Sequence, residues 1–380
     1  MKCIIHCFIV SLLAIVLLSS AGQAFAVYDP LSVPNNKIGI HILFPDEINK
    51  AKDLVNSNNG SWGYVTIPIQ AGDKDIKKWQ SFMDESKKYR LIPIIRLATE
   101  GDYFDKTTWR KPKDSDVIDF ANFLDSLNWP VKNRYIIVFN EVNRSDEWQG
   151  KADPKEYAEI LSYAVTVFKS KNQDYFIISS GLDNGASTRN GTYNEYDYLS
   201  LMNDAVPGIF NQIDGFSSHS YPNAGFIQPP SVKTPHSITS FIYESQLVNN
   251  YSNKTLPVFI TETGWDQSKV AESTVATYYK DALENVWNDP NIIAITPFLL
   301  KSGPGPFEKF SFIKNNGDKS EIFKTFESFP KIKGKPFINP AKKVLGDTEP
   351  KDLPVKNFSG EINNDGKHLK SFIKWMFFRF

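Results

Sequence analysis

The sequence predicts an α/β chain closed into a (β/α)8 TIM barrel with a C-terminal extension. Eight apolar, β-branched runs recur along it, at 38–43, 64–69, 91–97, 135–139, 175–180, 215–219, 257–261 and 292–300. Continuous apolar runs of this length suit parallel strands buried on both faces. The segments between them carry helical periodicity, and strand–helix alternation repeated eight times argues for a closed barrel. The competing architecture is an open doubly wound sheet. It is disfavoured because no glycine-rich dinucleotide fingerprint follows the first run.

The first run ends near His41, and the third delivers Arg96 after Pro93-Ile94-Ile95. The fourth leads into Asn140-Glu141-Val142-Asn143. A helix follows it, because Asp153-Pro154-Lys155-Glu156 sets a cap residue, a first-turn proline and a capping-box glutamate in sequence. Tyr157, Ile160, Leu161, Ala164, Val167 and Phe168 then repeat at helical spacing. The sixth run is the weakest, diluted by Ser217 and Ser218, and leads into His219-Ser220-Tyr221-Pro222. The seventh continues as Glu262-Thr263-Gly264-Trp265. Val275, Tyr278, Tyr279, Ala282 and Val286 form another apolar helical stripe, stopped by Asn288-Asp289-Pro290.

Composition sets the outer limits. Lys+Arg and Asp+Glu are each 43, so no basic field exists to hold nucleic acid. Residues 1–26 read as a secretory signal: Lys2, an apolar stretch from Phe8 to Leu18, then Ala24-Phe25-Ala26 as an A-x-A end. Both cysteines, Cys3 and Cys7, lie within it, so the mature chain is expected to hold neither disulfides nor thiolate metal sites. The barrel is expected over 27–330 and the extension over 331–380. From 330 to about 365 the extension is rich in Pro, Lys, Asn and Gly, with little periodicity. Residues 367–380 carry Lys367, Lys370, Lys374 and Arg379 among Ile373, Trp375, Met376, Phe377, Phe378 and Phe380, and no acid. That pattern allows peripheral contact with a membrane surface; the plainer readings are docking on the barrel or the start of a membrane span.

In such a barrel the chemistry sits at the C-terminal ends of the strands. Glu141 and Glu262 each continue an apolar run, where an unpaired charge is costly. The fourth and seventh strands are three apart around a ring of eight, so the two carboxyl groups face each other across the mouth. Glycosidic bond cleavage requires such a pair, one acting as proton donor and the other as nucleophile or base. Neighbouring charge and burial can drive their pKa values apart.

These residues resemble clan A of the retaining (β/α)8 glycoside hydrolases, which includes cellulases, β-mannanases and β-1,3-glucanases. The resemblance covers roughly residues 36 to 330. It implies that Glu141 is the general acid/base, that Asn140 contacts the sugar 2-hydroxyl, and that Glu262 is the nucleophile. His219 and Tyr221 look like the clan's His-x-Tyr pair on strand 6, with the tyrosine bonded to the nucleophile. Two departures are visible. The clan's arginine beside the nucleophile usually comes from strand 2, whereas Arg96 follows the third run. Several families place a Trp after strand 8, where this chain has Phe298.

The remaining site expectations are physical. Arg96 would keep Glu262 ionised. His219 and His41 would line the floor or bind sugar hydroxyls, and Asn143 would reach a hydroxyl. Trp109, Trp148 and Trp265, with Tyr103, fall in loops after strands 3, 4 and 7 as candidate platforms for pyranose C–H faces. Trp62, Trp79, Trp129, Trp287 and Trp375, in helices, strand starts or the tail, read as core. No H-E-x-x-H, calcium loop or phosphate loop is present, so neither metal nor cofactor is expected. The functional expectation is a secreted β-glycosidase acting on oligo- or polysaccharide by double displacement. The alternatives are a barrel that binds glycan without cleaving it, a cell-surface interaction protein, and, within the enzyme class, a transglycosylase.

Overall fold

The computed structural model describes residues 27–100 and 108–340. Eight parallel strands appear where the apolar runs predicted them: β1 (Gly39–His41), β2 (Gly63–Gln70), β3 (Leu91–Ala98), β4 (Arg134–Ile137), β5 (Tyr175–Ile178), β6 (Phe216–His219), β7 (Val258–Glu262) and β8 (Ile292–Ile295). They form two arcs, β1 to β5 and β6 to β8. Parallel bridges join the arcs at both seams, Ile178 to Gly215 and Asp183 to His219 at one and Ile38 to Ile295 at the other. Backbone bonds continue each seam, with Asp214 N–H donating to Ile177 C=O at 2.8 Å and Ile295 N–H to Lys37 C=O at 2.8 Å.

Helices alternate with the strands: α1 (Ile48–Val55), α2 (Ile76–Tyr89), α3 (Asp114–Ser126), α4 (Pro154–Lys171), α5 (Glu195–Ala205), the short α6 (Ile209–Gln212), α7 (Ser240–Asn249), α8 (Glu272–Asp281) and α9 (Glu321–Ser328). The cap and first-turn proline of α4 are in place, while Glu156 turns to Trp148 and Lys111 instead of closing a capping box. Asp153 accepts from the Lys155 and Glu156 N–H groups, and Pro154 opens the helix.

Strand alternation divides the core in two. On β3, Leu91, Ile95 and Leu97 join the large layer between strands and helices, while Ile92 and Ile94 join a second cluster with Tyr64, Tyr135, Ile137, Phe176 and Phe259. That second cluster fills the barrel interior, as the period of two requires. Arg96 is next on the inward side, above Ile94. Trp62, Trp79, Trp129 and Trp287 are all buried, as expected.

The first ten residues of the extension are more ordered than their composition suggests. Lys333 bridges Ser61 in parallel and Ile338 bridges Val131 in antiparallel. Both partners precede strands, so this segment lies under the end of the barrel opposite the mouth. The expected signal segment, 1–26, and the basic apolar end, 367–380, lie outside the described residues, as does Tyr103.

Candidate active site

The ends of β1, β3, β4, β6 and β7 bring one cluster together. Glu141 and Glu262 are 8% and 6% exposed, deep enough for each charge to need a partner. A carboxylate oxygen from each, together with a ring nitrogen of His219, all lie within 4.8 Å of one another. The fourth and seventh strands therefore do present facing carboxyl groups at one mouth.

Local backbone explains how they get there. Phe139 and Glu141 have φ of 68° and 37°, in the left-handed region that ordinary residues avoid. These two positions flank Asn140 and turn the chain sharply where β4 ends. Glu141 N–H donates to Gly181 C=O at 2.9 Å, which fixes the turn to β5. On the other side, the β6–β7 register shifts at the mouth: Ser218 pairs with Ile260, but His219 pairs with Glu262. Such irregularities re-aim a side chain at the rim of a barrel. Gly181 is obligatory for space, because a Cβ there would sit 2.1 Å from the His219 ring.

Glu262 is held on both oxygens. Arg96 donates to Oε1, and the Tyr221 hydroxyl donates to Oε2 at 3.0 Å. His41 Nε2 stands 3.8 Å from Oε1. Burial by itself would raise the Glu262 carboxyl. The charges of His219 and Arg96, with the Arg96 and Tyr221 hydrogen bonds, outweigh it and hold the group below the ordinary glutamate value. Arg96 does come from the third strand, where the sequence placed it.

Glu141 has different company. His219 Nδ1 lies 3.2 Å from its Oε1 and 3.8 Å from Glu262 Oε2, between the two acids. Burial would discharge this histidine, but Glu262 and Glu141 together raise its pKa. His41, buried beside Arg96 and His219, is pushed well below the usual histidine value and is neutral. Arg144 Nε reaches within 3.8 Å of Glu141 Oε2 and also pairs with Asp146 at 3.0 Å and Asp183 at 2.8 Å. Glu141, Glu262 and His219 form a donor triad of the kind that can ligate a metal. The two flanking guanidinium groups already balance its carboxylates and oppose a divalent cation, so the set suits a proton better than a metal ion.

The cleft above these groups is lined by Arg96, Asn140, Arg144, Glu147 and Asp183 with Trp109 and Trp148, and by a packed apolar wall of Leu43, Tyr221, Phe226, Phe298, Phe307 and Phe310. Asn140 presents its carbonyl to Arg96 at 2.8 Å and its amide to Glu147 at 3.0 Å.

Several sequence expectations need correction. Trp265 is not on the cleft. It is 1% exposed, donates its indole N–H to Gln228 C=O, and packs against Tyr279 and Trp287. The bend after Glu262 carries it behind the strand, into the layer under α8. Asn143 is fully buried, and its amide is spent on Asp183 and Tyr193 backbone, so it braces a loop and reaches no hydroxyl. His41 and His219 are also fully buried and touch carboxylates instead of open space. Trp148 forms part of the wall but is 2% exposed and tied to Glu156, while Trp109 is 6% exposed. The sequence reading overlooked Asp183, Glu147, Arg144 and the phenylalanine wall. Asp183 follows the β5 run closely, as Glu141 follows β4, and that signal was available.

No protein-family model matches the sequence, and no curated protein matches it by sequence. The fold does match solved structures. A family 39 glycoside hydrolase from the gut symbiont Bacteroides cellulosilyticus WH2 aligns over 79% of this chain and 64% of its own, with TM-score 0.55 and 17% identity. This chain thus spans just under two thirds of that protein. A family 39 β-xylosidase from Caulobacter crescentus aligns over 78% and 71%, with TM-score 0.57 and 15% identity. A family 128 (subgroup II) endo-β-1,3-glucanase from Sorangium cellulosum aligns over 77% and 98%, with TM-score 0.52 and 14% identity. The fold is therefore that of the (β/α)8 glycoside hydrolases.

Proposed function

We propose that this chain is a retaining glycosidase of β-linked glycosides, with Glu262 as nucleophile and Glu141 as general acid/base. The observation that carries the reading is the pair of buried carboxylates, with oxygens within 4.8 Å of each other at the strand ends. Retaining enzymes place their two carboxyl groups about 5–5.5 Å apart, and inverting ones ~6.5 Å or more to admit a water. The environments support different roles. Glu262 is kept ionised by Arg96, Tyr221 and His219, as a nucleophile must be.

In the first step a Glu262 oxygen attacks the anomeric carbon while Glu141 delivers its proton to the departing glycosidic oxygen. The aglycone leaves as an alcohol, and the sugar stays as an ester of Glu262. In the second step Glu141, now a carboxylate, takes a proton from water, whose oxygen displaces Glu262. Asn140, oriented by Arg96 and Glu147, offers an amide to the sugar. The phenylalanine wall covers its C–H face. The A-x-A leader supports a location outside the cytoplasm. The cationic, aromatic composition of 367–380 supports peripheral contact with a membrane surface.

The test is hydrolysis of activated aryl β-glycosides by the 27–380 protein. Glu262→Gln should abolish turnover, and azide should rescue Glu262→Ala as a glycosyl azide of inverted configuration. Unchanged rates in Glu262→Gln would end this reading.

A further inference from the structure

The geometry points to Glu147 as a positioning residue for Glu262, acting through Asn140 and Arg96. This rests on the reading of Glu262 as nucleophile. Glu147 closes a short turn (Ser145–Glu147) in the loop after β4 and is 8% exposed. Its Oε1 accepts the Asn140 amide at 3.0 Å. The Asn140 carbonyl accepts Arg96 Nη1 at 2.8 Å, and the same Nη1 donates to Glu262 Oε1.

The polarity of this chain is fixed at both ends. A guanidinium only donates, so the carbonyl of Asn140 must face Arg96. A carboxylate only accepts, so the amide must face Glu147. Without Glu147 only Arg96 is left to discriminate the two flip states of the Asn140 side chain. In the wrong flip an N–H meets the Arg96 N–H, and the guanidinium is pushed off Glu262. Glu147 connects to Glu262 through Asn140 and Arg96, so what matters is its reach to Asn140 rather than its charge. The same loop supplies Arg144 beside Glu141, which makes it the element that orders both acids.

Two conservative variants separate reach from charge. Glu147→Gln keeps an acceptor at full length and loses the charge. Glu147→Asp keeps the charge and falls one methylene short. The expected ranking of kcat on an aryl glycoside is wild type, then Glu147→Gln within a few-fold, then Glu147→Asp lower by roughly 10- to 100-fold, the scale of an ångström's misplacement. KM should change less than kcat. The acidic limb of kcat/KM should move to higher pH in Glu147→Asp alone, because Arg96 then holds Glu262 down less well. The other groups facing Glu262, namely His41, His219, Tyr221 and Glu141, are untouched. A turnover-independent arm titrates the Glu262 carboxyl by 13C NMR, assigned through Glu262→Gln. Its midpoint should rise in Glu147→Asp and stay put in Glu147→Gln. Failure to cleave any glycoside would end the functional reading and leave this arm to decide the positioning claim. Any other ranking of the two variants overturns it.

Discussion

Tyr221→Phe removes one oxygen atom and tests how Glu262 is kept charged. The hydroxyl donates to Glu262 Oε2 at 3.0 Å inside a site where the tyrosine is 7% and the glutamate 6% exposed. The ring itself is packed edge-on against Phe226 at 5.1 Å and lies 6.2 Å from Phe310, and a phenylalanine keeps both contacts. Stability should therefore change little. A hydrogen bond to a charged group contributes about 1.5–3 kcal/mol. At 1.36 kcal/mol per pKa unit, its loss should raise the Glu262 carboxyl by roughly one to two units. The sign follows from the direction of the native shift. Glu262 sits below its ordinary value and must be ionised to attack, so activity is lost as pH falls through its pKa. The acidic limb of kcat/KM for an aryl glycoside should move to higher pH by that amount. On the acidic side of both limbs the rate should fall about 10- to 150-fold, by conversion of the same energy. An acidic limb and a plateau rate both unchanged would refute the claim that Tyr221 holds Glu262 in its ionised form.

Three further outcomes are expected. Gly181→Ala should cost most of the activity while leaving the circular-dichroism spectrum intact, because the new methyl group displaces the His219 ring; a fully active Gly181→Ala would contradict the packing at that point. Trp265→Ala should lower unfolding free energy by about 3–5 kcal/mol, the cost of emptying a buried aromatic site, and a variant that keeps full stability but weakens substrate binding would restore the platform role. Glu195→Gln should stabilise the protein increasingly with pH. Burial, then Glu244 and Asp183, raise the Glu195 carboxyl well above the ordinary value, so the native state keeps a proton that the unfolded chain releases above about pH 4.5. Stability of the native protein falls as pH rises through that window, and glutamine escapes the loss. Melting temperatures should diverge from near equality at pH 4.5 to a gain of a few °C at pH 8, and a gain that is constant with pH would contradict the assignment.

Much of the fold could be read before any coordinates, for a simple reason. Strands buried on both faces leave uninterrupted apolar runs, and those runs located all eight strands, even β6 with its two serines. The acids at the ends of β4 and β7 stood out by the same logic, because a charge directly after such a run needs a partner. The supporting partners Arg96 and Tyr221 followed from position and resemblance. What sequence could not supply was direction beyond the strand end. Trp265 lies three residues past Glu262, close enough to suggest a platform, yet the chain bends and buries it. Asn143 looked like a hydroxyl ligand, and instead its amide satisfies loop backbone. Phe226, Phe307 and Phe310 reach the cleft from loops whose paths no local pattern encodes. Glu147 carried no signal either, since its meaning arises only once Asn140 is seen between it and Arg96.

The most direct test of the central claim is covalent labelling of the nucleophile. The protein is incubated with an activated 2-deoxy-2-fluoro β-glycoside of whichever sugar it hydrolyses, and the digested peptides are weighed by mass spectrometry. One fluoroglycosyl adduct is expected, on Glu262, with Glu141 unmodified. A label on another residue, or turnover that leaves no adduct and yields the α-anomer as first product, would contradict it.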